Sequence, residues 1–350
     1  MPTEPTPMPR RRRPLGRWLA ATAFAAATAL AVPVRAAEVI KIATLAPQGS
    51  IWDTTLREMG AAWTKQTAGR VEMRIYPGGV AGDESDVLRK IRLGQFQGAA
   101  LTGASLGEIE PAFRIFTLPM LFDSWQELDY VLAKIGPDLE RRLEARGFVL
   151  LHWGHGGWVH LFSRAPLATV DDLKKQKMFV WAGDDAAVQL WRKQGFQPVA
   201  LAATDILLGL QTKMIDVVPT TPIAALSLQW FRQTPHMLGL GLAPLAGGTI
   251  VTKAAWEKLS PADRELLRAA ADAAGAKLLA EVPKQDAAAI EQMKARGLKV
   301  AAIGEAELAA WRRAADEFAG SAREQNVPPD VLEAVRRAIA EFRARPGATP

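Results

Sequence analysis

The feature that most constrains this chain is an alternation of strand and helix patterns that runs, stops and starts again. Val39 to Thr44 alternates apolar and polar residues as a strand does, then enters a loop at Pro47-Gln48-Gly49-Ser50. From Trp52 to Thr67 the apolar residues Trp52, Leu56, Met59 and Trp63 fall at helical spacing. Val71 to Tyr76 is a second alternating strand, Asp83 to Leu93 a second helix closed by Gly94, and Gln97 to Thr102 a third strand. The pattern resumes with strands at Leu150–Trp153, Val159–Phe162, Lys177–Trp181 and Gln197–Leu201. A further strand from Met214 to Val218 ends at Pro219. Helices are expected at Asp184–Gln194 and Thr204–Thr212, with Asp184-Asp185 as the cap of the first or, alternatively, as the receiver of a cationic ligand. Pro261–Ala295, Glu305–Gln325 and Pro329–Ala344 form an Ala-rich helical third. Such an order predicts an α/β layered fold with mostly parallel sheet, built twice.

The N-terminal segment reads differently. Arg10 to Arg13 and Arg17 precede an uncharged apolar run from Trp18 to Val32, and Val34-Arg35-Ala36 offers a small-residue exit. That is the pattern of a secretory signal peptide over residues 1–36. The run is shorter than the ~20 residues that span a bilayer comfortably. Six arginines against one glutamate in this segment account for nearly all of the formal charge of +6, so the high isoelectric point implies neither nucleic acid nor an anionic membrane as partner. The expected location is the periplasm. There is no cysteine, which excludes disulfides, thiolate nucleophiles and cysteine metal sites. An exported chain without disulfides depends on its core, and 49% hydrophobic composition supplies one.

Two α/β units in an exported chain of this length form the architecture of a two-lobed, Venus-flytrap binding protein with a helix-rich C-terminal region. The expected lobes are residues 38–156 with about 246–282, and 157–245 with about 283–325, followed by a C-terminal helix and tail over 326–350. Ligands of open α/β sheets sit outside the carboxyl ends of the strands. No Gly-x-Ser-x-Gly elbow, phosphate loop or His-Glu-x-x-His motif is present, so neither an enzyme nor a cofactor is expected. His152, His155 and His160 are interrupted by Gly154, Gly156 and Gly157 and have no acid nearby in sequence, so no metal is expected there. Of the three, His155 is the one placed to face a ligand.

Several stretches together give the chain a family resemblance. They are Ile42 to Trp52 (IATLAPQGSIW), Gly69-Arg70-Val71 through Tyr76-Pro77-Gly78-Gly79, Ile91-Arg92-Leu93-Gly94 and Phe116 to Phe122 (FTLPMLF). Asp172-Leu173-Lys174, Gly195 to Val199 (GFQPV), Leu210 to Asp216 (LQTKMID) and Trp256 to Ser260 (WEKLS) complete the set. In this order and spacing, over about residues 38–300, the chain resembles the extracytoplasmic solute-binding subunit of tripartite ATP-independent periplasmic (TRAP) transporters, the DctP family. The resemblance implies two lobes that close on a solute, a long connecting helix, and delivery to a small and a large integral membrane subunit (DctQ-like and DctM-like).

The resemblance also implies a carboxylate clamp, and here the chain departs from it. Phe179 stands where the family places an arginine that pairs with a substrate carboxylate, in Lys-Met-Phe-Val-Trp instead of Lys-Ile-Arg-Val-Pro. Val159 follows Gly157-Trp158 where a second arginine is common, and Thr220 and Thr221 stand where an asparagine is. A buried carboxylate without a cation would carry a desolvation penalty of several kcal/mol. Aromatic walls suit apolar, aromatic or cationic ligands instead. The expected ligand-facing set is Gln48, Trp52, Thr102, His155, Trp158, Phe179, Trp181, Thr220 and Thr221, with Trp230 read as core. The expected ligand is more hydrophobic or more weakly charged than a C4-dicarboxylate, and a tetratricopeptide-repeat accessory partner is an associated expectation. The alternatives are an organic-acid binder with a shifted cation, for which Arg164 and Arg192 are the candidates, and a ligand sensor for a membrane receptor.

Overall fold

The computed structural model describes residues 37–183, 185–320 and 327–346. The expected signal peptide and Asp184 lie outside the described residues. So do residues 321–326, which include the end of the helix expected up to Gln325.

The strands are β1 (Glu38–Thr44), β2 (Val71–Tyr76), β3 (Gly98–Thr102), β4 (Phe148–Ser163), β5 (Lys177–Trp181), β6 (Gln197–Leu201), β7 (Val217–Thr220), β8 (His236–Leu238), β9 (Ala243–Thr252) and β10 (Lys299–Ala301). They run in the order β2-β1-β3-β9-β4-β7-β5-β6, with β8 also on β4 and β10 on β8. Pairing is parallel among β2, β1 and β3 and among β6, β5 and β7, as βαβ crossovers require. The partners of β4 and β9 run antiparallel. The result is a two-lobed α/β fold whose lobes share the β4–β9 ribbon.

Local sequence explains the elements that recur from the sequence reading. Ser50 caps the helix Ile51–Gln66 by accepting from the Asp53 N–H, and Leu56, Met59 and Trp63 bury its inner face against Ile40 and Ile42 of β1. Ser260 and Pro261 start the long helix Pro261–Lys294 in the same way. This helix buries Leu267, Ala271 and Ala274 against the first core and Met293 against Phe162 and Phe231 in the second, so one rigid element touches both lobes. The C-terminal helix Pro329–Arg343 packs Val331, Val335 and Ile339 against Leu128 and Val131 of the helix Trp125–Ala145. Arg343 donates two hydrogen bonds to the buried Glu127 (2.7 and 3.0 Å) and so pins that helix down.

Three expectations need correction. Leu150–Trp153 and Val159–Phe162 are not two strands but parts of one, β4, which crosses between the lobes. Gly154, Gly156 and Gly157 do not end it, because its register shifts at the bulges near Leu151 and Gly156-Gly157 absorb the irregularity. The strand expected at Met214–Val218 starts only at Val217. Lys213 turns with φ +60° and Asp216 still belongs to the loop. Pro219 lies inside that strand rather than ending it, opposite Leu161. The central strand β9 had no expected counterpart. Its first half (Ala243 to Gly248) is small and weakly patterned, and it is held by backbone pairing to β4 and β3. Among the described residues, no helix is long and apolar enough to cross a membrane.

Candidate ligand-binding cleft

A cavity of about 420 Å³ opens where the carboxyl ends of β1, β3, β5 and β7 face one another. The first lobe contributes Thr44 to Pro47 after β1, Trp52 from the first helix and Thr102 at the exit of β3. The second contributes Phe179 and Trp181 from β5, Pro219 to Thr221 at the carboxyl end of β7, and Trp230. Leu245 to Gly247 of the shared ribbon close one side. The lobes meet across the mouth, where the Ala203 N–H donates to Asp83 Oδ2 at 3.2 Å.

Six expected residues are brought together here: Trp52, Thr102, Phe179, Trp181, Thr220 and Thr221. Trp52 is held by its indole N–H, which donates to the His155 carbonyl at 2.7 Å. The indole lies so close over Gly154 that a Cβ there would sit 2.8 Å from its ring. Phe179 is 3% exposed and meets Trp181 edge-on at 5.5 Å. Behind it lie Ile206, Leu210, Val218 and Trp230.

The other three lie elsewhere. Gln48 is exposed in the turn before the first helix and does not line the cavity. The His155 ring points away from the cavity. It is buried, stacks on Trp125 at 4.6 Å, and its Nε2 lies 3.2 Å from Asp129. Trp158 packs edge-on against Trp125 at 4.9 Å and does not line the cavity. The bulge is the physical reason, because it changes which face of β4 each side chain takes. The three histidines go to separate partners: His152 Nδ1 lies near the Trp153 carbonyl and His160 Nδ1 near the Leu238 carbonyl. Burial drives His152 down to about 4. Neither candidate for a shifted cation reaches the cavity. Arg164 bonds the Leu210 carbonyl and faces Asp216 at 3.8 Å, and Arg192 is exposed on its helix. Asp185 is likewise exposed.

Two of the unexpected wall residues bear on the cavity's chemistry. Trp230, read as core, lines the cavity although only 7% exposed. Glu84 was hidden in the acidic start of a helix, where a carboxylate reads as a first-turn residue. Its Oε1 accepts from the Thr102 N–H (3.0 Å) and its Oε2 from the Thr102 hydroxyl (2.6 Å), and the Ser105 side chain adds a further bond. Burial pushes its pKa up to about 7 against these stabilising bonds, with the Asp83 carboxylate adding to the rise. Below about pH 4.5 both folded and unfolded states hold the proton, and between there and 7 only the folded state does. This group's contribution to stability therefore falls as pH rises through that window. Glu84→Gln should be more stable than wild type by on the order of 2 kcal/mol at pH 8, with the difference vanishing near pH 4, as measured by urea unfolding.

A second cavity of about 260 Å³ adjoins the first and shares Thr102, Phe179, Trp181, Thr220 and Leu245 with it. Arg114, Val159, Trp191 and Trp311 stand in its wall.

Comparison with known proteins agrees with this geometry. The profile of the bacterial extracellular solute-binding protein family 7 (DctP) matches residues 42–325. The chain is similar to a solute-binding protein of Chromohalobacter salexigens, with 26% identity over 234 residues that cover 65% of this chain and 66% of that one. It is similar to the C4-dicarboxylate-binding periplasmic protein DctP of Rhodobacter capsulatus, 28% identical over 261 residues covering 72% and 75%. In fold it is similar to a TRAP periplasmic solute-binding protein of Ralstonia eutropha H16 solved with (S)-2-acetolactate (TM-score 0.80, 24% identity, 87% and 99% covered). It is similar, too, to the sugar acid binding protein of Advenella mimigardefordensis in complex with galactonate (TM-score 0.81, 18% identity, 87% and 98% covered). These relatives are transport proteins and not enzymes. The chain thus belongs to the bacterial extracellular solute-binding protein family 7, the DctP family of extracytoplasmic solute-binding proteins of TRAP transporters.

Proposed function

We propose that this chain is exported by residues 1–36, closes its two lobes over a predominantly apolar organic solute that is not a carboxylate, and presents it to a small and a large integral membrane subunit. The lobes divide near residues 156, 246 and 282, so that the bulge at Gly156-Gly157 acts as one crossing point. A tetratricopeptide-repeat accessory protein belongs to the same proposal. The observation that carries the ligand class is the wall of the large cavity: Trp52, Phe179, Trp181 and Trp230 line it, and no arginine, lysine or histidine does among the described residues. A carboxylate enclosed there would lose water and gain no cation, a penalty of several kcal/mol. Aromatic area rewards apolar bodies instead.

The test is to purify the protein under native conditions and identify the co-purifying solute by mass spectrometry, then to titrate succinate, malate, sialate and glucuronate by calorimetry. An apolar or weakly charged solute and no measurable heat from the four acids are expected. Micromolar binding of any of them would overturn the proposal. A specific observation favours a second reading: Arg114 lines the adjoining cavity, where it could meet a carboxylate placed past Phe179. Tight binding of an acid that is abolished by Arg114→Met would establish that reading.

A further inference from the structure

Among the described residues, Glu84 is the single ionisable side chain in the wall of the large cavity. It is 4% exposed, and no cation pairs with it among the described residues. A carboxylate offers about four lone-pair positions. Thr102 fills two and Ser105 a third, which leaves one position for a ligand. The aromatic residues Trp52, Phe179, Trp181 and Trp230 line the same cavity. A ring face carries negative potential, so a carboxylate and four rings together favour positive charge and disfavour negative charge. A merely structural role for Glu84, as a clamp on the exit of β3, would be met by a neutral amide, which accepts from the Thr102 N–H and donates to the hydroxyls.

We propose that the solute is an organic cation that places an ammonium group on Glu84 and its apolar body against the aromatic wall. This rests on the reading of the chain as a binder of non-carboxylate solutes. The charge pairing removes what is otherwise an uncompensated buried anion, so the ligand itself supplies the partner that the fold withholds.

Three probes of one shape separate the possibilities: phenethylamine, phenethyl alcohol and phenylacetate, each titrated by calorimetry into ligand-free protein. The amine is expected to bind at least about tenfold tighter than the alcohol, with phenylacetate weakest. Glu84→Gln should weaken the amine about tenfold and leave the alcohol within about twofold. Wild-type protein provides a check that needs no variant. The amine stays charged, so its affinity should rise several-fold, up to about tenfold, between about pH 6 and about pH 8 as Glu84 ionises, while that of the alcohol stays level. The groups acting on Glu84 in that range are Thr102, Ser105 and the neighbouring Asp83, whose own pKa burial also raises. Failure of the amine to bind, or an alcohol that binds as well as the amine, overturns the cation proposal and leaves the non-carboxylate reading standing. Phenylacetate binding tightest overturns both.

Discussion

Phe179→Arg should fold and lose at least roughly 100-fold in affinity for the solute that co-purifies with the wild-type protein, about 3 kcal/mol. Phe179 lines both cavities and is 3% exposed. Its ring meets Trp181, and the apolar cluster of Ile206, Leu210, Val218 and Trp230 backs it. A guanidinium in its place removes the ring face, fills the cleft with a hydrated charge and repels a cation directly. The scaffold should still accept it, because the family resemblance implies an arginine at this position of the second lobe. The loss is therefore one of recognition and not of folding. Circular dichroism melts should change little while calorimetry shows the loss. Unchanged affinity would mean that the solute does not reach Phe179, and with it the aromatic-wall reading of the cleft would fall.

Gly157→Val should destabilise the protein by roughly 3–5 kcal/mol. In a chain of this size that lowers the melting temperature by roughly 10 °C. Gly157 has φ +118°, a backbone region where a β-branched residue is strained. A Cβ would also lie 2.6 Å from Asp286 Oδ1 and 2.7 Å from the Thr221 Cβ. Neither neighbour can yield cheaply. Asp286 accepts from the Trp158 N–H at 2.7 Å on the crossing strand and from the Ile223 N–H at 3.2 Å in the second lobe. Thr221 caps the helix Pro222–Ser227. Pushing Asp286 away leaves two partly buried N–H groups unpaired, each worth up to about 1–3 kcal/mol. Gly156→Ala is the matched control. Its Cβ would meet the end of the Leu245 side chain, which can rotate, so its effect should stay below about 1.5 kcal/mol. Equal melting curves for Gly157→Val and wild type would show that the crossing is not held by Asp286.

The order of strands and helices was legible in the chain wherever each segment carried its own period. β1, β2, β5 and β6 lie within a residue of their expected positions because apolar alternation and flanking Gly or Pro residues mark them locally. β9 and the continuity of β4 were not legible. Their glycines break the alternation, and what holds them is pairing with strands far away in sequence. A Cβ at Gly98 would lie 2.2 Å from the Ile250 carbonyl, and one at Gly247 would lie 2.2 Å from the Leu101 carbonyl. These glycines permit close strand approach, a property that no local pattern announces.

The sequence by itself, read with its family resemblance, determined the expectation that a carboxylate clamp is missing. Phe179, Val159 and Thr220 stand where cations and an amide would be expected, and their chemistry can be read position by position. Only the tertiary structure decided what the cleft contains. Trp230 and Glu84 enter it from segments well over a hundred residues apart, and the bulge in β4 turns His155 and Trp158 out of it. The physical reason is that a residue's type is local, whereas burial and the partners that set its charge come from packing. Glu84 near a helix start looks like an ordinary first-turn acid. Bonded to Thr102 in a cavity that four aromatic residues also line, it becomes a buried carboxylate without a counter-ion among the described residues.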